Sequence, residues 1–223
     1  FTVPFAVEHE FQSPVKEVVC GTAETAFLLE DGSCWVIGEN KNGQLGVGHS
    51  KPVTVPTEIK LANSSSQAIT QVSFGPNFSA FVDKNGALYT AGSGGGAMQG
   101  TGWLGHGNSE SVLTPTLVES LVEDGCAVQQ VEVSELHMTV LTTEGEVLST
   151  GAGSYGRLGN YESIDQLYLE PVEVLTEKSG VTHLAGGKSF TLALTKDGVL
   201  YSWGRNHKGQ LGTGLGLAVD IYA

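Results

Sequence analysis

The chain has 223 residues, a formal charge of −13, 40% hydrophobic and 16% charged side chains, and 31 glycines, enough length for a substantial core. Arg157 and Arg205 are its arginines, and so few cations on an acidic chain exclude direct nucleic-acid binding by counterion release. No run approaches the roughly 18 apolar residues of a membrane helix, which excludes membrane insertion by that route.

Pro4 to Val7 opens the chain with a Pro-x-x-Val element. The first full unit then runs from Val18 and Gly21 through Phe27-Leu28-Leu29, the turn pair Asp31-Gly32 and Cys34-Trp35-Val36-Ile37. Two apolar runs around Asp-Gly predict a hairpin, and the aliphatic residue three before Gly21 marks a strand ahead of it. Glycines follow at Gly38, Gly43 and Gly46, and Pro56 to Ile59 closes the unit as an edge strand, where proline loses no ladder bond.

The same order returns three times. The second unit carries Val72, Gly75, Phe81-Val82, Asn85-Gly86 and Leu88-Tyr89, then Gly92, Gly102, Gly105 and Pro115 to Val118. The third has Val131 with Ser134 in place of glycine, the poorer turn pair Glu144-Gly145, then Gly151, Gly156, Gly159 and Pro171 to Val174. The fourth runs from Leu184 and Gly187 through Asp197-Gly198 to Gly204, Gly209 and Gly212. Leading glycines Gly32, Gly86, Gly145 and Gly198 lie at the period of a multi-stranded blade. Because a lone hairpin is marginally stable, these units are expected to bury their faces against one another about an axis.

The stretch Gly187-Lys-Ser-Phe-Thr-Leu-Ala-Leu-Thr-Lys-Asp-Gly-Val-Leu-Tyr-Ser-Trp-Gly-Arg-Asn-His-Lys-Gly-Gln-Leu-Gly212 resembles a repeat of the regulator of chromosome condensation (RCC1) family. The resemblance covers nearly the whole chain and implies an all-β, RCC1-like β-propeller. Its blades would be four-stranded antiparallel sheets, with about four present here out of a seven-bladed ring. One propeller domain over residues 1–223 is expected, with repeats near 18–59, 72–118, 131–174 and 184–216. Residues 4–7 then supply the last strand of a preceding or closing blade; a closed four-bladed ring is the alternative. The family favours His three residues after the first glycine of a repeat, whereas Glu24, Phe78, His137 and Phe190 stand there.

Apparent chemical motifs dissolve in this register. Gly151-Ala-Gly153-Ser-Tyr-Gly156 matches a dinucleotide fingerprint, but Gly151 and Gly156 are repeat glycines and no helical period follows. The glycine-rich run after Gly92 lacks the Gly-Lys-Ser/Thr of a phosphate cradle. The six histidines show no metal or triad spacing, and His137 is read as a structural hydrogen bonder. Catalytic, metal and cofactor-binding residues are therefore assigned to none. Cys20, Cys34 and Cys126 are odd in number, favouring a reduced intracellular setting, cytoplasmic, nuclear or organellar. The sequons at Asn63 and Asn77 are taken as chance, and Asn63 to Gln67 as a mobile connection.

One departure from periodicity suggests function. Nine residues separate Gly92 from Gly102 where the other repeats have four, and extra length on a rigid scaffold is where binding tends to sit. In family members that act on the GTPase Ran, the resemblance implies a wedge at this turn. Met98, Gln99 and Trp103 are the contact candidates, with Trp103 weighed against packing between blades beside Leu104, as Leu45, Leu158 and Leu211 should pack. The expected function is a non-catalytic protein-interaction scaffold, with guanine nucleotide exchange on a Ran-like small GTPase as the alternative. Its partner is expected to be another protein, such as a small GTPase or a basic protein steered by the acidic surface.

Overall fold

The computed structural model describes residues 9–62, 64, 66–176 and 179–214. Three four-stranded antiparallel sheets and one three-stranded sheet follow each other along the chain. The first joins β1 (Val15–Cys20), β2 (Glu24–Leu29), β3 (Cys34–Gly38) and β4 (Val53–Glu58) in sequence order. The second uses β5 (Ile69–Phe74), β6 (Phe78–Asp83), β7 (Leu88–Gly92) and β10 (Val112–Leu117), interrupted by a small ribbon of β8 (Gly95–Gly96) and β9 (Gly100–Thr101). The third contains β11 (Val128–Val133), β12 (His137–Thr142), β13 (Val147–Gly151) and β14 (Gln166–Pro171), and the fourth β15 (Val181–Gly186), β16 (Phe190–Thr195) and β17 (Leu200–Gly204). The Pro4 to Val7 element lies outside the described residues.

Each sheet packs on the next through strands that alternate between two faces. In β6, Phe78, Ala80 and Val82 turn toward the third sheet, where they meet Val131, Met138 and Val140, while Phe81 turns toward Ala26, Val36 and Leu45 of the first. Both faces of β6 and β12 are therefore buried along their full length, so apolar residues fall on both faces and the polar Ser79, His137 and Thr139 are buried among them. The third and fourth sheets share Leu141, Val172, Leu184, Ala193 and Trp203. At the two flanks of the array, Val15 and Val18 on one side and Leu194, Val199 and Leu200 on the other remain exposed.

Side-chain amides join the first strands of successive sheets. Gln71 on β5 donates to the Val131 carbonyl at 3.3 Å and accepts from its N–H at 3.1 Å. One sheet further on, Gln130 on β11 does the same to Leu184 on β15, both bonds at 2.8 Å. Each amide replaces the ladder partner that a strand edge would otherwise lack.

The hairpin turns differ from the expected two-residue form. Gly32 N–H donates to the Leu29 carbonyl at 3.0 Å and Leu29 N–H to the Ser33 carbonyl at 2.9 Å, giving a three-residue loop with Gly32 alone at positive φ, +85°. The same two bonds recur around Gly86, Gly145 and Gly198. The residue before the glycine keeps negative φ, so Glu144 serves as well as Asp31, Asn85 or Asp197.

Two further readings are corrected. Ile59, Val118 and Val172 are equivalent, donating to Cys34, Leu88 and Val147 carbonyls respectively, so Leu169 and not Pro171 matches Pro56 and Pro115. The Pro171 to Val174 element was placed two residues late because its proline happens to precede another valine. A five-residue helix, α1 (Glu119–Glu123), also follows β10 and buries Leu121; it is too short to leave a periodic signal. In the 63–67 connection, Gln67 bonds both the N–H and the carbonyl of Leu61, at 3.0 and 2.8 Å, which ties rather than frees its described part.

Candidate interaction face

Strand register decides which loops share an end. Glu24 opposes Gly38, Phe78 opposes Gly92, His137 opposes Gly151 and Phe190 opposes Gly204. The turn after each first strand and the long loop after each third strand therefore emerge at one end of the sheets. At this loop end the first-strand turns of all four sheets converge on a cleft of about 390 Å³, lined by Thr22, Phe74, Pro76, Ser134, Glu135 and Lys188 among others. Glycines suit these turns: a Cβ on Gly75 would strike the Ser134 carbonyl of the next sheet. Lys188 and Glu135 bridge part of the wall with an ion pair of 3.1 Å.

The extra residues after Gly92 form the β8–β9 ribbon. Gln99 N–H closes its turn on the Gly96 carbonyl at 3.0 Å, and Asp165 of the third sheet's loop clamps its base. One oxygen of Asp165 accepts from Thr101 N–H at 2.9 Å and the other from Gly153 N–H at 2.9 Å. Gly100 lies so close to Ala152 that a side chain there would collide. The insertion is thus rooted between two sheets, not a floppy glycine loop.

The three sequence candidates separate. Met98 at the ribbon tip is fully exposed, and Gln99 is exposed beside it. Trp103 is 1% exposed, sits in the core with Leu104 and faces Phe78, ring centroids 6.2 Å apart. Its side chain offers no contact surface, because the glycine-x-Leu-Gly register turns that position inward. The equivalent residues in the other repeats are Gln44, Arg157 and Gln210. Gln44 donates to Glu24 at 2.9 Å, so this position faces the place where the family favours histidine.

Arg157 occupies that inward position in the third repeat, and a residue cluster overlooked by sequence reasoning surrounds it. It is 3% exposed, its Nε donates to the Ser154 carbonyl at 2.8 Å, and its own carbonyl accepts from Trp203 Nε1 at 3.0 Å. Burial pulls its guanidinium below the usual range; Arg205 adds to this, while Glu135, Tyr155 and Asp165 act against it. The guanidinium carbons of Arg157 and Arg205 lie 5.5 and 4.6 Å from the centroid of the exposed Tyr155 ring. Nearby His137 is fully buried, with Nε2 at 3.1 Å from Thr191 Oγ1. Burial first, and Arg157 second, push its pKa down to about 3, so it stays neutral and serves packing and hydrogen bonding.

With this geometry in place, comparison with known proteins is decisive. The model of the regulator of chromosome condensation (RCC1) repeat matches residues 31–82 and 144–194, and a second model of the same description matches residues 181–210, together more than half of the chain. The chain belongs to the RCC1 repeat family. It is 32% identical over 205 residues to the ultraviolet-B receptor UVR8 of Arabidopsis thaliana, covering 90% of this chain and 43% of that protein. It is 34% identical over 168 residues to the secretion-regulating guanine nucleotide exchange factor of Bos taurus, covering 75% of this chain and 34% of that protein. The crystal structure of human WBSCR16 superposes with a TM-score of 0.77 at 26% identity, over 92% of this chain and 51% of the other. The RCC1-repeat chain thus spans less than half the length of these two curated relatives. Its fold is that of an RCC1 propeller, all-β and built of antiparallel blades. Among the described residues no helix is long and apolar enough to cross a membrane.

Proposed function

We propose that this RCC1-repeat chain is a protein-interaction scaffold whose contacts lie on the loop end of its blades. The observation that carries the reading is the β8–β9 ribbon, which holds an apolar side chain, Met98, wholly in solvent on a base fixed by Asp165. A backbone fixed in advance lowers the ordering cost of binding, and burial of the Met98 thioether against a partner gains by desolvation. The partner is another protein, and the described blades form part of a larger, seven-bladed ring. The exposed apolar flanks at Val15, Val18, Leu194, Val199 and Leu200 support further repeats packing on either side.

The test places a photo-crosslinking residue at position 98 and, in a parallel protein, at Asn85 in a turn at the opposite end. Stoichiometric capture of the same protein from 98 and not from 85 is expected. Equal capture from both positions, or capture from 85 alone, overturns the reading.

A second reading, exchange activity on a small GTPase, is favoured by the named function of the Bos taurus relative together with the position of the ribbon. No covalent step is needed, only displacement of nucleotide contacts. Release of a fluorescent GDP analogue from a panel of small GTPases, with residues 93–101 shortened to the four found in other repeats, decides it. Acceleration that is lost on shortening supports exchange; unchanged release with intact chain removes it.

A further inference from the structure

We propose that Arg157, Arg205 and the Tyr155 ring form a docking site for a single acidic side chain of a protein partner. The proposal rests on the scaffold reading and adds the chemistry of the group recognised. Both arginines of the 223-residue chain are brought to one tyrosine, on a protein of formal charge −13 where cations are otherwise scattered lysines. The guanidinium fork matches a carboxylate in two-point fashion, which a lysine cannot do.

Glu135 and Asp165 lie near enough to favour the charge of Arg157, yet no carboxylate among the described residues is paired with either arginine. Arg157 Nη1 is buried with no hydrogen-bond partner among the described residues. The two ion pairs among the described residues are Glu58–Lys60 and Glu135–Lys188, and neither includes an arginine. Glu135 is engaged by Lys188, and both oxygens of Asp165 accept backbone N–H groups from Gly153 and Thr101. In the first repeat the equivalent residue, Gln44, finds the carboxylate of Glu24. In the third repeat that place holds neutral His137, so the larger, charged donor finds no carboxylate at the position where the first repeat has one. A buried arginine without such a partner is costly, and an incoming carboxylate supplies what the fold omits.

The mouth of the site also bears a mark of strain. Tyr155 adopts φ 67°, a left-handed conformation that a residue with a Cβ adopts at a cost of about 1–2 kcal/mol, and its ring is exposed over the arginines. Arg205 is half-buried and Arg157 almost wholly buried, both beside that ring. Two guanidinium groups at one ring suit a single carboxylate, and the chain's formal charge of −13 disfavours a polyanion such as RNA.

Two arginines give two Nε–Hε signals in a ¹H–¹⁵N spectrum of the intact chain, so the site can be read directly. Titration at fixed ionic strength with acetate, inorganic phosphate, chloride, and the capped peptides Gly-Glu-Gly and Gly-Gln-Gly separates the outcomes. Saturable shifts of both signals with acetate and the Glu peptide, absent with chloride and the Gln peptide, are expected. Arg157→Gln, which installs the residue of repeats one and four, should weaken the response of Arg205 by about tenfold, the loss of a charged hydrogen bond. Linear shifts equal to those of chloride overturn the proposal, and so does saturation by phosphate alone. Crosslinking at position 98 with both arginine signals unmoved by the Glu peptide removes this site and leaves the scaffold reading standing. Saturation by the Glu peptide with no partner captured at the loop end upholds the site and removes the scaffold reading.

Discussion

The rings of Phe78 and Trp103 meet with centroids 6.2 Å apart and planes tilted by 33°, at the two positions where the first repeat joins Glu24 to Gln44 by a hydrogen bond of 2.9 Å. One repeat solves the contact by apolar packing and the other by a buried polar pair. The two solutions make opposite demands on any substitution at one position alone.

Gln44→Ala should destabilise the chain by about 1–3 kcal/mol, because it strips the 4%-exposed Glu24 carboxylate of a donor. The double variant with Glu24→Ala should recover part of that loss. Urea denaturation followed by fluorescence measures both, and a double variant worse than the sum of the two single changes would contradict the coupling.

Trp103→Ala should cost about 3–5 kcal/mol through the cavity left beside Phe78, while Met98→Ala changes stability by less than about 0.5 kcal/mol. Thermal unfolding of the two variants side by side tests whether the ribbon tip and its base serve separate ends, recognition and cohesion.

Gln130→Glu should loosen the junction of the third and fourth sheets. A carboxylate still accepts from the Leu184 N–H but no longer donates to its carbonyl, and the expected loss is about 1–3 kcal/mol. Hydrogen exchange at Leu184 and its β15 neighbours should quicken relative to β6; unchanged protection of β15 would show that the amide bridge contributes nothing.

His137 gives the chain a dependence on acid. Its folded pKa of about 3 lies below the ordinary 6.5, so the unfolded chain binds the proton more readily. The stabilising contribution is complete above 6.5 and falls by about 1.4 kcal/mol for each unit below it until the folded value is reached. His137→Phe, the residue of repeats two and four, should flatten the midpoint temperature between pH 6.5 and 4.5 relative to the parent chain. Parallel curves for the two proteins would disprove it.

Much of this arrangement is legible in the sequence because glycine and apolar spacing report backbone geometry directly. Gly32, Gly86, Gly145 and Gly198 mark the hairpin between the second and third strands of each sheet, and pairs such as Phe81-Val82 mark strands with both faces buried. What escaped is what depends on partners distant in the chain. The packing of Trp103 beside Leu104 is one reading of the sequence, but its contact with Phe78 follows from equivalence with Gln44 and is visible only once Glu24 is known to face that position. The gathering of Arg157 and Arg205 crosses two repeats, and no spacing within either repeat announces it. The misplaced Pro171 shows the converse error, where a recurring residue type stood in for a recurring bond.

The amide bridges have a direction. Gln71 reaches forward to β11 and Gln130 forward to β15, so the second and third repeats each bring a tongue and their successors the groove, while Glu17 and His183 stand at that place in the first and fourth. Because β11 carries both the groove at Val131 and the next tongue at Gln130, a duplicated third repeat brings both halves of the joint with it. Growth and shrinkage by entire units is thereby the cheap evolutionary path for such a chain, and loops at one rim can diversify while the joinery beneath them is copied unchanged.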